Sequence, residues 1–145
     1  SRVAEVRVLT LQHVPSGGSV GYRFEKGGKS VVYTTDCEHK FEAIDEDYPF
    51  IEFLRGADLV IFDAMYSLAD SISVKEDWGH SSNIIGVELA QMAGAKHLCM
   101  FHHEPNYDDA VISRILAETV RYEELSEEGA SLHGSSAYDG RGILL

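Results

Sequence analysis

Short apolar runs alternate along the chain with amphipathic segments, and glycine or polar residues bound most of them. The runs of extended character predict strands over residues 3–12, 21–25, 30–35, 57–62 and 97–101. Segments with apolar residues three and four apart predict helices over residues 48–54, 83–93 and 108–124. A short strand or hairpin is expected to close the chain, over residues 136–138 and 142–145. A hairpin followed by alternating strands and helices predicts an α/β fold whose mixed sheet is covered by helices on at least one face.

Composition narrows the class of protein. The chain has 145 residues, is 44% hydrophobic and 25% charged, and carries a net charge of −12. These values are typical of one globular domain with an acidic surface, which disfavours binding to extended nucleic acid. No apolar run reaches the ~18 residues of a membrane span, and the first residues do not resemble a signal peptide. With two cysteines and no Cys-x-x-Cys pair, the sequence predicts a reduced, cytoplasmic protein without a membrane partner.

Chemically capable residues follow four of the predicted strands. His13, Asp36 and Asp63 each lie at a strand end, and the pair His102–His103 lies at another. His80 stands just before a predicted helix. Each residue alone has a structural explanation, such as capping a turn. Because the strand ends of open α/β sheets are where sites collect, the repeated placement indicates one shared site.

The residue types favour metal chemistry over the common alternatives. Histidine nitrogens and carboxylate oxygens suit Zn²⁺, Mn²⁺ or Fe. A serine hydrolase would need a Gly-x-Ser-x-Gly elbow, and a phosphate-binding loop would need Gly-x-x-x-x-Gly-Lys-Ser/Thr; neither occurs in the sequence. Nothing in the sequence lowers the pKa of Cys37, so we expect a buried or supporting thiol there.

The order of these residues resembles a known family. Five elements of the family pattern follow one another over nearly the whole chain. They are His13, the Tyr-Thr-Thr-Asp run ending at Asp36, the Ala-Asp-Leu-Val-Ile-Phe-Asp run ending at Asp63, Gly-His80-Ser and Phe-His102-His. Together they resemble the C-terminal half of a metallo-β-lactamase-fold hydrolase. Within that fold they are most similar to the phosphodiesterase-like branch that includes tRNA 3′-processing endonucleases. The resemblance implies one half of an αββα sandwich.

The resemblance also implies roles for individual residues. His13, Asp36 and His102 correspond to ligands of two divalent metal ions, of which Zn is expected and Mn or Fe are alternatives. A metal-bridging hydroxide then attacks the substrate, His80 protonates the leaving oxygen, and Asp63 orients the imidazole of His80. The resemblance further implies that Ser81 helps to hold phosphate at the helix N-terminus. His103 has no role in the family motif and is expected to support the neighbouring ligands.

One departure from the family concerns the metal ligands. The family's His-x-His-x-Asp-His motif occurs nowhere in the sequence. We therefore expect residues 1–145 to form a single partial domain that lacks the N-terminal half of the fold. Such a half exposes a sheet face and edge, so the missing half or a second copy of the chain is an expected partner. The chain alone is expected to be inactive.

These observations predict a metal-dependent hydrolase, most simply of phosphodiester bonds. The acidic charge favours a small phosphodiester or nucleotide-like substrate over a long RNA. Two alternatives stay open. The first is a non-catalytic interaction domain of the same fold, suggested by the missing motif. The second is a lactone or thioester hydrolase, against which the pair His80 and Asp63 counts because a phosphate-directed acid is typical of the phosphodiesterase branch.

Overall fold

The computed structural model describes residues 4–11, 17–45, 47–67, 79–126 and 132–145. Within these ranges, six strands form one sheet in chain order. They are β1 (Glu5–Leu11), β2 (Ser19–Lys26), β3 (Lys29–Tyr33), β4 (Leu59–Asp63), β5 (His97–Phe101) and β6 (His133–Ser136). The helices described are α1 (Pro49–Leu54), α2 (Asn83–Met92), α3 (Asp109–Leu125) and a short 3-10 helix (Phe41–Ala43).

The sheet is mixed, as the sequence predicts. Strands β1, β2 and β3 are antiparallel neighbours, whereas β3, β4, β5 and β6 run parallel. The turn between β2 and β3 consists of Gly27 and Gly28, with φ of 61° and 78°. Two positive φ angles in succession define the tight hairpin turn that matches the twist of antiparallel strands, and glycine adopts them without steric cost.

The three α-helices pack on one face of the sheet. Alternate residues of the central strands, including Val60, Phe62 and Met100, point toward them and are fully or almost fully buried. Helix α2 lies so close to β4 that a Cβ at Gly86 would stand 2.8 Å from the ring of Phe62. A larger residue at position 86 would therefore push the helix away from the sheet.

The opposite face of the antiparallel strands is apolar and exposed. Here Val6 pairs with Phe24 and Val8 pairs with Tyr22 across β1 and β2. These four residues are 50%, 41%, 61% and 36% exposed, in that order. The rings of Tyr22 and Phe24 lie 6.2 Å apart and nearly parallel. We call Val6, Val8, Tyr22 and Phe24 the open face; contiguous apolar surface of this kind is uncommon on a protein that has no partner.

Polar side chains cap the first turns of α2 and α3. The side chain of Ser82 accepts a hydrogen bond from the Ile85 N–H and caps α2, which ends before Gly94 with a φ of 63°. Asp108 caps α3 by accepting from the Val111 N–H at 2.9 Å. Serine and aspartate caps of this kind fix where each helix begins.

The prediction for the C-terminal strand is wrong in position. The last strand is His133–Ser136, and residues 137–145 form no strand. Its place is set by parallel pairing with β5, which joins His97 to His133 and Met100 to Ser136. The His-Gly-Ser-Ser sequence has little β propensity of its own, so tertiary pairing rather than local preference defines the strand. Within the described ranges, none of the helices combines the length and the apolar character needed to cross a bilayer.

Candidate metal centre

The candidate site lies at the carboxyl ends of β3, β4 and β5. Asp36 lies in the loop that follows β3, Asp63 is the last residue of β4, and His102 follows β5 directly. Since these strands are parallel neighbours, their carboxyl ends meet at one edge of the sheet. His80 reaches the same edge from the residues before α2, where a parallel bridge between Tyr66 and Ser82 holds that segment beside the chain that leaves β4.

The four side chains form one compact cluster. One potential ligand atom from each of Asp36, Asp63, His80 and His102 lies within 4.8 Å of all the others. His102 Nδ1 is 3.3 Å from Asp36 Oδ1 and 3.5 Å from Asp63 Oδ1. Imidazole nitrogen and carboxylate oxygen are the donors that Zn²⁺, Mn²⁺ and Fe bind in proteins, so the donor set suits these ions.

Asp63 fixes the orientation of His80. Asp63 is fully buried, and its Oδ2 lies 2.8 Å from His80 Nδ1. The same oxygen accepts a hydrogen bond from the Cys37 N–H at 3.1 Å. An acidic partner at Nδ1 holds the proton on that nitrogen, so proton exchange with a substrate would take place at Nε2. The ring of His80 also packs edge-to-face against the ring of His102, with 4.9 Å between centroids.

Several buried polar atoms at this edge lack a hydrogen-bond partner within the described structure. They are Asp63 Oδ1, His102 Nδ1 and His103 Nε2. Buried polar groups in folded proteins are almost always satisfied, and an exception requires an explanation. A divalent cation at the cluster would satisfy Asp63 Oδ1 and His102 Nδ1 at once. The residues present therefore fit a metal ion.

The backbone of His102 is unusual. Its φ is 62°, the one positive φ of a non-glycine residue within the described ranges. The left-handed conformation costs an L residue roughly 1–2 kcal/mol. The sharp turn directs the side chain of the first residue after β5 back toward Asp36 and Asp63, which is a geometry that an extended continuation of the strand would not give.

The pKa values of the two adjacent histidines are shifted in opposite directions. Contact with Asp63, reinforced by the charge of Asp36, raises the pKa of His102 despite partial burial. Burial, followed by the charge of His102, lowers the pKa of His103. The acidic field at the cluster thus favours positive charge at the position of His102, and the same field attracts a cation.

Cys37 is buried, as expected from the sequence. Burial, reinforced by the charge of Asp63, raises the pKa of its thiol well above the ordinary value. A thiolate nucleophile is therefore disfavoured at this position. Cys37 contributes to the site through its backbone N–H, which donates a hydrogen bond to Asp63.

The remaining sequence-predicted residues occupy different situations. His13 lies outside the described residues. His103 is partly buried beside His102, with its Nε2 unpartnered. Ser81 is 1% exposed; its hydroxyl donates to the Cys37 carbonyl at 2.8 Å and accepts from the His39 N–H at 3.0 Å. Both contacts are internal, and the hydroxyl that caps α2 belongs to Ser82. The phosphate-holding role of Ser81 stays a prediction.

Two residues at the site were not singled out from the sequence. Glu38 Oε2 accepts a hydrogen bond from the Gly79 N–H at 3.0 Å, immediately before His80. His39 is buried, with its Nδ1 2.7 Å from the Tyr48 hydroxyl and its ring 4.1 Å from that of Phe50. Burial lowers the pKa of His39 to about 4, so it is neutral at physiological pH. The Glu38 contact could not be predicted from the sequence, because Gly79 lies 41 positions away.

The chain has a mixed sheet with helices on one face and a cluster of histidines and carboxylates at the carboxyl edge of the parallel strands. This arrangement is that of an α/β protein with a candidate metal centre. Residues 3–103 match the family described as Beta-lactamase superfamily domain, and the chain belongs to this family. The metallo-β-lactamase fold predicted from the sequence is thereby confirmed.

Comparison with known proteins gives consistent results. A Ribonuclease Z from Brevibacillus brevis is 32% identical over 82 residues, which is 57% of this chain and 23% of that protein. The structure of unliganded yeast PDE1 matches 94% of this chain and 44% of its own length, with a TM-score of 0.69 and 16% identity. The short form of human tRNase Z matches 94% of this chain and 41% of its own length, with a TM-score of 0.63 and 21% identity. The chain thus aligns with about a quarter of the curated relative and less than half of either structure.

Proposed function

We propose that the chain is the C-terminal part of a metal-dependent hydrolase of phosphodiester bonds. The observation that carries this proposal is the cluster of Asp36, Asp63, His80 and His102, whose ligand atoms lie within 4.8 Å of one another. Its unsatisfied buried atoms support cation binding. The similarity to Ribonuclease Z and to tRNase Z supports phosphodiester chemistry.

The residues divide into ion-holding and proton-transferring groups. Asp36 and His102 would hold divalent ions, together with His13 by resemblance; the family resemblance suggests two ions, with Zn expected and Mn or Fe as alternatives. Bound ions of this kind polarise phosphoryl oxygens and lower the pKa of water. As an imidazolium, His80 gives the proton on Nε2 to the leaving oxygen and becomes a neutral imidazole that keeps its Nδ1 proton. Asp63, in contact with Nδ1, stabilises the imidazolium before the transfer.

The open face supports the proposal that residues 1–145 are a partial domain. Its paired residues Val6, Val8, Tyr22 and Phe24 form an apolar surface of the kind that a second sheet covers. We propose that the N-terminal half of the fold covers it, with a second copy of this chain as the alternative. Light scattering of the chain alone and with the added half distinguishes the two, and a stable monomer that does not bind the added half contradicts both.

The proposed substrate is a small phosphodiester or a nucleotide-like molecule. The net charge of −12 disfavours a long polyanion, whereas the name of the Brevibacillus relative favours an RNA. Competition between a cyclic mononucleotide and a precursor tRNA for the same enzyme decides between them. A higher kcat/KM for the precursor tRNA at physiological salt would overturn the preference for a small substrate.

The activity is tested on the longest natural polypeptide that contains this sequence, supplied with Zn²⁺ or Mn²⁺ and bis-p-nitrophenyl phosphate. Asp36→Ala and His102→Ala are each expected to lower kcat/KM by about 10²–10⁴-fold, because each removes a group that stabilises charge in the transition state. Asp47→Ala, which removes an exposed carboxylate, serves as the matched control. Turnover that survives the first two substitutions would sink the proposal. Absence of bound metal in the wild-type protein would favour a non-catalytic interaction domain.

A further inference from the structure

The loop that carries Asp36 and the segment that carries His80 are joined by side-chain hydrogen bonds on both sides of His80. After His80, the hydroxyl of Ser81 donates to the Cys37 carbonyl and accepts from the His39 N–H. Before it, the Gly79 N–H donates to the Glu38 carboxylate. We call the side chains of Ser81 and Glu38 the loop clamp.

The Asp36 loop is also held from its other side. The Thr35 hydroxyl donates to the Val20 carbonyl at 3.1 Å, and the Ser19 hydroxyl donates to the Asp36 carbonyl. The Cys37 N–H donates to Asp63. The backbone of this loop is thus fixed against β2 and β4, and the loop clamp ties the His80 segment to that fixed loop.

The burial of Ser81 argues for a positioning role. With 1% of its surface exposed and its oxygen engaged in two internal hydrogen bonds, its hydroxyl has little capacity left for a phosphate oxygen. Removal of the hydroxyl would leave the Cys37 carbonyl and the His39 N–H unsatisfied in a buried place. Both groups lie within three residues of Asp36, so the loss acts on the metal carboxylate and on His80 together.

We infer that Ser81 and Glu38 are positioning residues, which set the distance between the proposed metal carboxylate Asp36 and the proposed acid His80. The inference rests on the proposed function for the identity of these two roles. A displacement of reacting groups by about 1 Å can cost on the order of 10²-fold in rate, so the loop clamp acts on catalysis without touching the substrate.

The kinetic test uses Ser81→Ala and Glu38→Ala in the longest natural polypeptide that contains this sequence, with bis-p-nitrophenyl phosphate. We expect kcat to fall by about 10–100-fold for each, with KM and the inhibition constant of inorganic phosphate changing less than about twofold. Glu38→Gln, which keeps an oxygen acceptor for Gly79, is expected to restore most of kcat. A Ser81→Ala variant whose phosphate inhibition constant rises tenfold with kcat unchanged would instead show a phosphate ligand and overturn the inference.

Matched controls separate positioning from general loss of stability. Ser82→Ala removes the neighbouring buried hydroxyl, which caps α2 and does not join the two loops. Glu42→Gln alters an exposed acidic residue of the 3-10 helix. We expect Ser82→Ala to lower the melting temperature, because it removes the cap of α2, while kcat falls less than threefold. An equal loss of kcat in both serine variants would show that the effect is one of stability.

A measurement without substrate distinguishes failure of this inference from failure of the proposed function. Ser81→Ala is expected to speed amide hydrogen exchange at His39 by at least tenfold, and Glu38→Ala to do so at Gly79. Both are expected to weaken binding of Co²⁺, followed by its visible spectrum, by about five- to tenfold. Unchanged Co²⁺ affinity and spectrum in both variants would overturn the inference even if wild-type protein hydrolyses phosphodiesters. If both variants bind Co²⁺ more weakly but the wild-type protein shows no turnover, the positioning role of the loop clamp would stand and the proposed reaction would be rejected.

Discussion

Strand β4 has a buried aspartate at each end, and the two are used in opposite ways. Asp58, directly before the strand, is 8% exposed and Asp63, its last residue, is fully buried. Asp58 accepts from Lys96 Nζ at 2.8 Å, from the Ser30 N–H at 2.8 Å and from the Ser30 hydroxyl at 3.4 Å. Asp63 has one satisfied oxygen and one that lacks a hydrogen-bond partner among the described residues.

The difference separates a carboxylate whose contacts all lie within the fold from one that belongs to the candidate metal centre. The contacts of Asp58, above all with Lys96, lower its pKa to about 2, so the folded state favours its charged form. At Asp63, Oδ1 lies 3.5 Å from His102 Nδ1 without a hydrogen bond between them, and a cation would satisfy both atoms. The two aspartates look equivalent in the sequence. We nevertheless expect neutralisation of Asp63 to reduce activity and neutralisation of Asp58 to reduce stability.

Asp63→Asn is expected to have the largest effect of the three substitutions, and this effect is a loss of activity. The amide cannot hold the Nδ1 proton of His80 as a carboxylate does, so kcat should fall by about 10²–10⁴-fold. The melting temperature should stay the same or rise, because a buried charge is removed. Chromogenic phosphodiester turnover and thermal unfolding of the same preparation check both parts. A large loss of stability with activity retained would reverse the assignment.

Asp58→Asn is expected to act on stability and leave kcat within about threefold of wild type. Loss of hydrogen bonds to a charged group should lower the free energy of unfolding by about 1–3 kcal/mol at pH 7. A lowered pKa in the folded state contributes stability above the unfolded pKa of about 4 and loses it as the pH falls through about 2. Urea unfolding at pH 7 and near pH 2 should therefore show the variant and wild type converging in acid; a constant difference would contradict the linkage.

Lys96→Met is expected to have the smallest effect. The ammonium contacts Asp58 at 2.8 Å, but its side chain is 68% exposed, so water screens the pair. The free energy of unfolding should fall by about 0.2–1 kcal/mol, and salt should reduce the difference between variant and wild type. If the loss equals that of Asp58→Asn, then Ser30 contributes nothing to holding the carboxylate.

Sequence patterns sufficed for the parts of the fold that local chemistry defines. The hairpin at Gly27–Gly28 and the strand–helix alternation both follow from short-range rules. Strand β6 did not, because its His-Gly-Ser-Ser sequence becomes a strand only by pairing with β5. Propensity cannot reveal a strand whose stability comes from a neighbour.

The candidate site shows the same division. Asp36, Asp63 and His102 were predictable because parallel strands bring their carboxyl ends to one edge. The contacts of Ser81 and Glu38 were not, since each joins residues about forty positions apart. No local sequence pattern predicts which oxygen of Asp63 lacks a hydrogen-bond partner among the described residues. His13 keeps the status of a prediction, since it lies outside the described residues.

The left-handed backbone at His102 bears on how this family can change over time. Glycine, and to a lesser degree asparagine, adopts a φ near 62° more readily than histidine does. The backbone at position 102 alone would thus favour glycine, whereas the contacts of the imidazole with Asp36 and Asp63 favour histidine. A related sequence with glycine at this position would be expected to keep the fold and, under the proposed function, to lack one metal ligand.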